Sequence, residues 1–251
     1  MIVYPNAKIN IGLNVLNKRE DCYHELSSVF YPVSELYDIL EIITSDDFSF
    51  SSSGIAIPGD NNICTKAFDL LKAEYDVGNI KIHLHKIIPI GAGLGGGSAD
   101  GAFVLKALNE LFELNLTNNQ LEKYALELGA DCPFFIDNTP KYVTGIGEQM
   151  TAIDLDLSDY EIKFFFPDLH ISTAEAYRRV NPNFPKYALL DLIEQPIENW
   201  KSTVKNDFEN SAFKNYPQLA KMKAELYADG AIFASMTGSG SVLYGVFVKF
   251  S

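Results

Sequence analysis

The sequence is poor in basic residues. It has 20 lysine and arginine residues against 33 aspartate and glutamate residues, which gives a formal net charge of -13 at pH 7. A surface field of this sign repels polyanions, so we do not expect a nucleic acid as a partner. If the ligand is a phosphate ester, its site must use local donors, meaning backbone N–H groups at a helix N-terminus and a few lysines.

Cysteine is also scarce. Cys22, Cys64 and Cys132 are odd in number and have no C-x-x-C spacing, which argues against a disulfide framework and against a thiolate metal site. Long apolar runs are missing, and residues 1–8 do not have the basic and then apolar pattern of a secretory signal. We therefore expect a soluble, cytoplasmic protein with no membrane partner.

The 251 residues are 47% hydrophobic and 21% charged, which is typical of a folded globular chain. Strands are expected near Ile39–Thr44 and Ile80–His85, and a helix near Ile63–Glu74. Strands and helices do not alternate regularly, so we expect an α+β fold. Turn-forming residues dominate Asn138–Asp159, which predicts two domains, residues 1–150 and 151–251.

The residues from Lys8 to Val15 alternate between polar and apolar side chains, which predicts a half-buried strand. The polar face either meets solvent or lines a site, and the pattern alone does not decide between these alternatives. That face carries Lys8, Asn10, Gly12 and Asn14.

A glycine-rich segment precedes a helical pattern of leucines. The segment from Gly91 to Gly97 contains five glycines, which allow backbone N–H groups to approach an anion closely. The alternative is a flexible turn with no ligand. Because a turn rarely needs so many glycines, the segment favours a phosphate-binding loop at the start of a helix.

Two other nucleotide-binding loops are less consistent with the pattern. Gly91, Gly93 and Gly96 satisfy the G-x-G-x-x-G spacing, but a Rossmann unit requires a second parallel strand after the helix. Here Thr117 and Gln120 form a capping-box pattern, which predicts another helix. No lysine follows the glycines, so the P-loop pattern is absent as well.

The loop resembles the ATP-binding motif of the GHMP kinases, and a second segment resembles their C-terminal glycine motif. The first resemblance implies ATP binding by Pro89, Gly91, Ala92, Gly93, Leu94, Gly95, Gly96, Gly97 and Ser98. The second motif consists of Thr237, Gly238, Ser239 and Gly240.

Within this superfamily, four further segments are similar to the diphosphocytidyl-methylerythritol kinases. They are Pro5–Ile11, Tyr23-His24, Gly129–Phe135 and Asn206–Glu209. The sequence departs from that pattern at Cys22, where glycine is usual, and at Gly101, where alanine is commoner.

The resemblance implies a two-lobed GHMP kinase fold, with an N-terminal ribosomal-protein-like βαβ domain and a C-terminal ferredoxin-like α/β domain. It implies an enzyme that uses ATP with Mg²⁺ to phosphorylate the 2-hydroxyl of a diphosphocytidyl-methylerythritol substrate in the non-mevalonate isoprenoid pathway. The expected partners are therefore ATP and a cytidine diphosphate ester, and the chain is expected to be a monomer or a homodimer.

The resemblance also implies roles for individual residues. Asp131 is the candidate base, and the alternative is that it caps the turn beginning at Cys132. Lys8 is expected beside it, where its ammonium would stabilise charge during transfer. The cytidine substrate is expected to contact four residues: Asn10, Tyr23, His24 and Tyr177.

Two alternative functions stay open at this point, whereas a metal site is not favoured. His83 and His85 share a strand face, but without a third ligand we assign no metal site. The chain could be a GHMP kinase for homoserine, mevalonate or a sugar. It could also be a non-catalytic nucleotide-binding protein of the same fold, although such a protein would need neither Lys8 nor Asp131.

Overall fold

The structure, a computed structural model, describes residues 1–59 and 62–249. The chain forms two compact units, each built from separated segments. Unit 1 consists of Met1–Lys8, Pro32–Ile90 and Gly95–Thr139, and unit 2 consists of Ile9–Tyr31, Gly91–Leu94 and the chain from Pro140 onward. The division into residues 1–150 and 151–251 stays a prediction.

The elements follow the chain in this order. The strands are β1 (Ile2–Val3), β2 (Asn6–Lys18), β3 (His24–Tyr37), β4 (Ile39–Thr44), β5 (Ser49–Gly54), β6 (Ile80–Lys86), β7 (Lys141–Thr144), β8 (Gln149–Ala152), β9 (Tyr160–Phe165), β10 (Phe233–Met236) and β11 (Leu243–Val248). The helices are α1 (Ile63–Glu74), α2 (Gly96–Leu111), α3 (Asn118–Leu128), α4 (Phe134–Asp137), α5 (Thr173–Arg179), α6 (Leu189–Ile193), α7 (Trp200–Thr203), α8 (Phe208–Asn215) and α9 (Pro217–Ala228), with a 3-10 helix at Ile197–Asn199.

Unit 1 combines a sheet of order β1-β4-β6-β5 with helices α1 to α4. Strand β4 pairs antiparallel with β1 and β6, whereas β5 pairs parallel with β6. Ile80, Ile82 and Leu84 of β6 are buried on one face, as the alternating sequence requires. Gly101 allows α1 and α2 to pack closely, because a Cβ there would lie 2.9 Å from Cγ1 of Ile63.

Unit 2 contains an antiparallel sheet of order β10-β11-β9 and a sheet of order β2-β3-β7-β8, whose first two strands also supply residues to unit 1. Helix α9 packs on β10 and β11, and α8 packs on α5 and α9. The apolar core beneath these helices includes Phe208, Leu219, Leu226, Ala234 and Leu243. This core holds the strand and turn that carry the C-terminal glycine motif.

Helix starts follow local signals in the sequence. The Asn62 side chain accepts a hydrogen bond from the Cys64 N–H at 2.7 Å, which caps α1. The predicted capping box is confirmed at α3, where the Thr117 N–H donates to Oε1 of Gln120 at 3.0 Å. Pro217 opens α9, where its missing N–H is not needed.

The α+β class is confirmed, and α2 is followed by helix α3 rather than by the strand of a Rossmann unit. Among the helices that the structure describes, none has both the length and the apolar character needed to cross a bilayer.

The predicted first strand is confirmed within β2, but its half-buried character is wrong. Both faces of the strand are buried, because the polar face, with Lys8, Asn10 and Asn14, is covered as fully as the apolar face. Alternation identifies the strand period but does not show whether polar side chains find partners inside the protein. Here they do, and the polar face of β2 carries part of the candidate site.

Candidate active site

An ion pair joins β2 to the turn after α3. Nζ of Lys8 lies 3.4 Å from Oδ2 of Asp131, and both residues belong to unit 1. The Lys8 side chain is 4% exposed, whereas that of Asp131 is 35% exposed. Burial lowers the pKa of Lys8, and the charge of Asp131 opposes this shift.

Asp131 does not cap the turn that follows it. The N-cap of α4 is Pro133, and that helix has no side-chain cap in the described chain. The turn itself is held by the backbone, since the N–H of Cys132 donates to the carbonyl oxygen of Gly129 at 3.1 Å. The Asp131 carboxylate therefore lies beside Lys8 and is partly exposed to solvent.

The glycine loop has a backbone conformation that would suit the predicted anion site. Gly91, Gly93 and Gly95 have φ values of 68°, 80° and 70°, in the left-handed region that favours glycine. Residues with positive φ alternate with residues of ordinary φ, so successive N–H groups can point toward one ligand. The loop ends at Gly95, which is the N-cap of α2 and has no side chain to cap the first N–H groups of that helix.

The end of the loop lies against the Lys8–Asp131 pair within unit 1. An ideal Cβ at Gly95 would lie 3.0 Å from Cγ of Lys8 and 2.9 Å from Cζ of Phe135. Ser98, in the first turn of α2, is hydrogen-bonded to Cys132, the residue after Asp131. Burial raises the pKa of Cys132 to about 12, so this contact involves a neutral thiol. The predicted phosphate loop and the predicted catalytic pair are therefore neighbours.

The C-terminal glycine motif contacts the middle of the same loop within unit 2. The Thr237 hydroxyl donates to the carbonyl oxygen of Gly93 at 2.9 Å and accepts from the N–H of Asn10 at 3.1 Å. A Cβ at Gly93 would overlap the carbonyl oxygen of Thr237, so the close approach requires glycine. Nδ2 of Asn10 donates to the Ser28 hydroxyl at 2.9 Å, so Asn10 is held from two sides.

The role of the Asn206–Glu209 segment could not be assigned from the sequence. Nδ2 of Asn206 donates to the carbonyl oxygens of Met236 and Gly238, at 2.8 and 2.9 Å. Oε1 of Glu209 accepts from the N–H of Met236 at 2.8 Å, and Oε2 accepts from Nζ of Lys223 at 2.6 Å. The segment therefore fixes the turn that carries Thr237. The only signal in the sequence was its resemblance to a family pattern.

The predicted cytidine contacts in unit 2 include an aromatic stack. The rings of His24 and Tyr177 are stacked, with centroids 4.9 Å apart and planes 25° apart. Burial lowers the pKa of His24, and the charge of Lys18 lowers it further, which favours the neutral imidazole. Tyr23 precedes β3 and is 60% exposed. Cys22, where the family usually has glycine, has a φ of 69°, in the region that glycine adopts most easily.

The other histidines have different surroundings. Both ring nitrogens of His83 contact serine hydroxyls at 2.9 Å, those of Ser51 and Ser53, and Ser53 also contacts Nδ1 of His85. An ideal Cβ at Gly91 would lie 2.9 Å from Cε1 of His170. His170 therefore packs on the glycine loop, a contact that no local sequence pattern indicates.

Comparison with known proteins gives the family. Residues 62–138 match the model of the GHMP kinases N terminal domain, and residues 187–249 match that of the GHMP kinases C terminal domain. The chain has the fold of a solved 4-(cytidine 5'-diphospho)-2C-methyl-D-erythritol kinase, with a TM-score of 0.85 and 34% identity over 98% of this chain and 90% of that one. A homoserine kinase from Cytophaga hutchinsonii shares the fold at a TM-score of 0.70 but only 16% identity, over 97% of this chain and 85% of that one.

Two curated relatives are much more similar in sequence. The chain is 49% identical to the 4-diphosphocytidyl-2-C-methyl-D-erythritol kinase of Bacteroides thetaiotaomicron, over 98% of this chain and 92% of the relative. It is 47% identical to the enzyme of the same name from Parabacteroides distasonis, over 99% of this chain and 92% of the relative. The chain therefore belongs to the family of the 4-diphosphocytidyl-2-C-methyl-D-erythritol kinases, within the GHMP kinases.

Proposed function

We propose that this chain transfers the γ-phosphoryl group of ATP to the 2-hydroxyl of 4-diphosphocytidyl-2-C-methyl-D-erythritol, giving the 2-phosphate and ADP. The observation that carries the proposal is the contact between Gly95, at the end of the glycine loop, and Lys8, which is paired with Asp131. A phosphate cradle and a proton acceptor next to each other are what phosphoryl transfer to an alcohol requires.

Asp131 is proposed as the base. The acceptor carbon carries a methyl group, so the attacking hydroxyl is a tertiary alcohol. A carboxylate is too weak a base to deprotonate an alcohol in advance, so the proton moves to Asp131 late, as the oxygen bonds to phosphorus. Oδ2 of Asp131 already contacts Lys8, and its partial exposure leaves room for the substrate hydroxyl.

Lys8 is proposed to stabilise charge during transfer. Its ammonium is buried, so its field is screened less than that of a surface lysine. Burial lowers the pKa of Lys8, and the charge of Asp131 counteracts that shift and favours the ammonium. A positive charge at this position stabilises the negative charge that spreads over the phosphoryl oxygens in the transition state.

ATP is proposed to bind through backbone N–H groups of the loop from Pro89 to Ser98 and the start of α2. This mode of binding suits a chain of net charge -13, because the donors are local and need no basic surface. Thr237 to Gly240 are proposed to fix the loop through Gly93.

Mg²⁺ is proposed to enter with ATP as the MgATP complex. The described residues include no group of three His, Cys, Asp or Glu side chains that could enclose a metal ion. The Asp131 carboxylate is engaged by Lys8. We therefore propose that phosphate oxygens and water supply most of the ligands, and that the ion neutralises phosphate charge.

The cytidine part is proposed to contact Tyr23, His24, Tyr177 and Asn10 of unit 2. Cytosine offers two aromatic faces and an edge with donors and acceptors, and these side chains supply rings and polar groups of both kinds. The His24–Tyr177 stack leaves no gap for a base between those two rings at a centroid distance of 4.9 Å. We therefore propose that one of these two rings moves when the substrate binds. Cytosine then stacks between the ring of Tyr177 and the ring of Tyr23.

Cytoplasmic localisation is proposed as well. The reaction consumes ATP, and Cys22, Cys64 and Cys132 are unpaired thiols, which suits a reducing compartment. A monomer or homodimer stays a prediction.

A coupled ADP-release assay tests the proposed function. Purified chain is given ATP with diphosphocytidyl-methylerythritol, homoserine, mevalonate or galactose, and Lys8→Met protein prepared in the same way controls for contaminating kinases. We expect turnover with the first acceptor and not with the others. Preferential turnover of another acceptor would reject the substrate assignment, and no turnover of any acceptor would favour a non-catalytic nucleotide-binding protein.

A further inference from the structure

Unit 1 contains a second buried charge cluster, which we call the triad: Asp38, Lys86 and Asp100. All three residues are at most 3% exposed. Nζ of Lys86 donates to Oδ2 of Asp38 at 2.5 Å and to Oδ2 of Asp100 at 2.6 Å. Burying three ionisable groups carries a large desolvation cost, which hydrophobic residues of similar size would avoid. The cluster is therefore better explained by a functional role than by a contribution to stability.

The triad contacts both ends of the ATP loop. On the entry side, Oδ1 of Asp38 accepts hydrogen bonds from the N–H groups of Ile87 and Ile88, at 2.6 and 2.8 Å. On the exit side, a Cβ at Gly96 would lie 3.0 Å from Nζ of Lys86. Asp100 itself lies in the second turn of α2. A change in the triad would therefore move the backbone that leads into and out of the loop.

The charge of the triad does not suit an anion site if every member is ionised. Two carboxylates and one ammonium leave a net charge of one negative unit. A buried negative charge near the N-terminus of α2 repels phosphate groups, and it is poorly screened there. Uptake of one proton removes that charge.

One atom of the triad is suited to take up the proton. Oδ1 of Asp100 is buried and has no hydrogen-bond partner among the residues that the structure describes. A carboxylate oxygen without a donor is much costlier to bury than the same oxygen in a neutral carboxylic acid. Both oxygens of Asp38, by contrast, accept hydrogen bonds.

We propose that the triad is a positioning device for the ATP loop and that ATP binds to the state in which Asp100 carries a proton. The proposal rests on the proposed function, because it requires ATP at this loop. It makes Asp100 a positioning residue that acts through Lys86 and the start of α2.

The electrostatics of the cluster support the assignment. Burial raises the pKa of Asp100 to about 8, with Lys86 opposing the shift and Asp38 adding to it. Burial lowers the pKa of Lys86, but Asp100 and Asp38 together raise it above its ordinary value. Near pH 7 the triad therefore mainly holds a protonated Asp100 beside the Lys86 ammonium.

The helices packed against α2 add no competing charge to the triad. On α1, burial raises the pKa of Cys64 well above its ordinary value, so this thiol is neutral. On α3, the Tyr124 hydroxyl donates to Glu74, and on α4, Asp137 acts on Lys106. The charges that shift the Asp100 pKa come from the triad itself.

The test uses Asp100→Asn, which imitates the protonated side chain. The amide oxygen can accept from Lys86, and the amide nitrogen takes the position of Oδ1, which accepts no hydrogen bond in the described structure. Asp69→Asn is the matched control, because Asp69 is an exposed residue of α1 in the same unit. Binding of MgATP, without an acceptor alcohol, is measured by calorimetry at pH 7 and pH 9.

We expect the dissociation constant of MgATP to rise about tenfold from pH 7 to pH 9 in wild type and in Asp69→Asn, as linkage to one proton with a pKa of about 8 requires. In Asp100→Asn we expect a rise below about twofold. The pKa of Lys8 is also lowered, so its titration could add to the pH dependence of MgATP binding. The effect of Asp100→Asn on that pH dependence is therefore measured again in Lys8→Met protein. An equal pH dependence in Lys8→Met protein with and without the Asp100→Asn substitution would overturn the proposal.

A second measurement covers the case in which Asp100→Asn does not fold. At pH 8, wild-type protein should take up about half a proton per MgATP bound, read from calorimetry in two buffers of different ionisation enthalpy. Binding without proton uptake would overturn the proposal while leaving the kinase assignment intact. Failure of wild type to bind MgATP at any pH would contradict the proposed function itself, and the proposal with it.

Discussion

Nζ of Lys8 and Oδ2 of Asp131 lie 3.4 Å apart, with the lysine buried and the aspartate partly exposed. This difference in exposure suits the two residues to different roles in phosphoryl transfer. The buried ammonium is a fixed charge in a region of low dielectric, whereas the accessible carboxylate can meet a substrate hydroxyl. Exchange of the two residues would reverse that arrangement.

Asp131→Asn should reduce kcat by about a hundredfold or more, as expected for the loss of a general base. The amide has nearly the same size, so the melting temperature and the affinity for MgATP should change little. Steady-state kinetics with a parallel thermal melt checks this. A variant with kcat close to wild type would remove Asp131 from the mechanism.

Lys8→Met should cause a comparable loss of kcat, because methionine keeps most of the apolar stem and removes the charge. Folding should not suffer, since the burial that lowers the pKa of Lys8 is an energetic cost which methionine avoids. Chemical denaturation and turnover are measured on the same preparation. Reduced stability with normal turnover would mean that Lys8 is structural.

Gly95→Val and Gly97→Val should separate folding from ATP binding. A Cβ at Gly95 would crowd Lys8 and Phe135, and φ is positive there, so this variant should lose both stability and MgATP affinity. At Gly97 an added Cβ would meet no atom of the described residues within 4 Å, apart from its chain neighbours and the backbone of its own helix. Gly97→Val should therefore weaken MgATP binding with little change in stability. Unchanged affinity in Gly97→Val would show that this part of the loop does not contact ATP.

Tyr177→Ala should raise KM for the cytidine substrate by roughly five- to a hundredfold, because loss of a base-stacking partner costs about 1–3 kcal/mol. KM for ATP should hardly change. The contact of Tyr177 with Phe208 is also lost, so a thermal melt accompanies the kinetics. Wild-type KM for both substrates would remove Tyr177 from the site and weaken the cytidine assignment.

Asp100→Asn should alter the pH dependence of stability. The pKa of Asp100 is raised from 3.8 to about 8 in the folded protein, so between these values the folded state binds more protons than the unfolded state. Wild-type stability therefore falls as pH rises through this window, by at most about 1.4 kcal/mol per pH unit from this group. Urea unfolding at pH 5, 7 and 8.5 should give a smaller fall in the variant. An equal fall in the free energy of unfolding in wild type and in Asp100→Asn would contradict the raised pKa of Asp100.

The sequence predicted the elements with clear local signals. Helix α1 and strand β4 have the predicted bounds, and the capping box at Thr117 starts α3 as expected. The glycine loop was recognisable because five glycines in seven residues are hard to explain as packing. In each case the determining interaction lies within a few residues of chain, which is the range that a sequence pattern covers.

What the sequence did not predict depends on partners far apart in the chain. The polar face of β2 can be buried because Asn10 forms hydrogen bonds with Ser28 and with Thr237. Thr237 lies 227 residues from Asn10 in the sequence. The triad joins Asp38, Lys86 and Asp100 from separate elements, and none of them belongs to a local motif. Side-chain periodicity carries no information on such pairings.

Proton-coupled ³¹P NMR of the product tests whether the 2-hydroxyl of diphosphocytidyl-methylerythritol is the group that is phosphorylated. Carbon 2 carries a methyl group and no hydrogen, so a phosphate on its oxygen has no proton on the adjoining carbon. We expect a new phosphomonoester signal without splitting by such a proton. A triplet from the 1-hydroxyl, a doublet from the 3-hydroxyl, or no new phosphomonoester would contradict it.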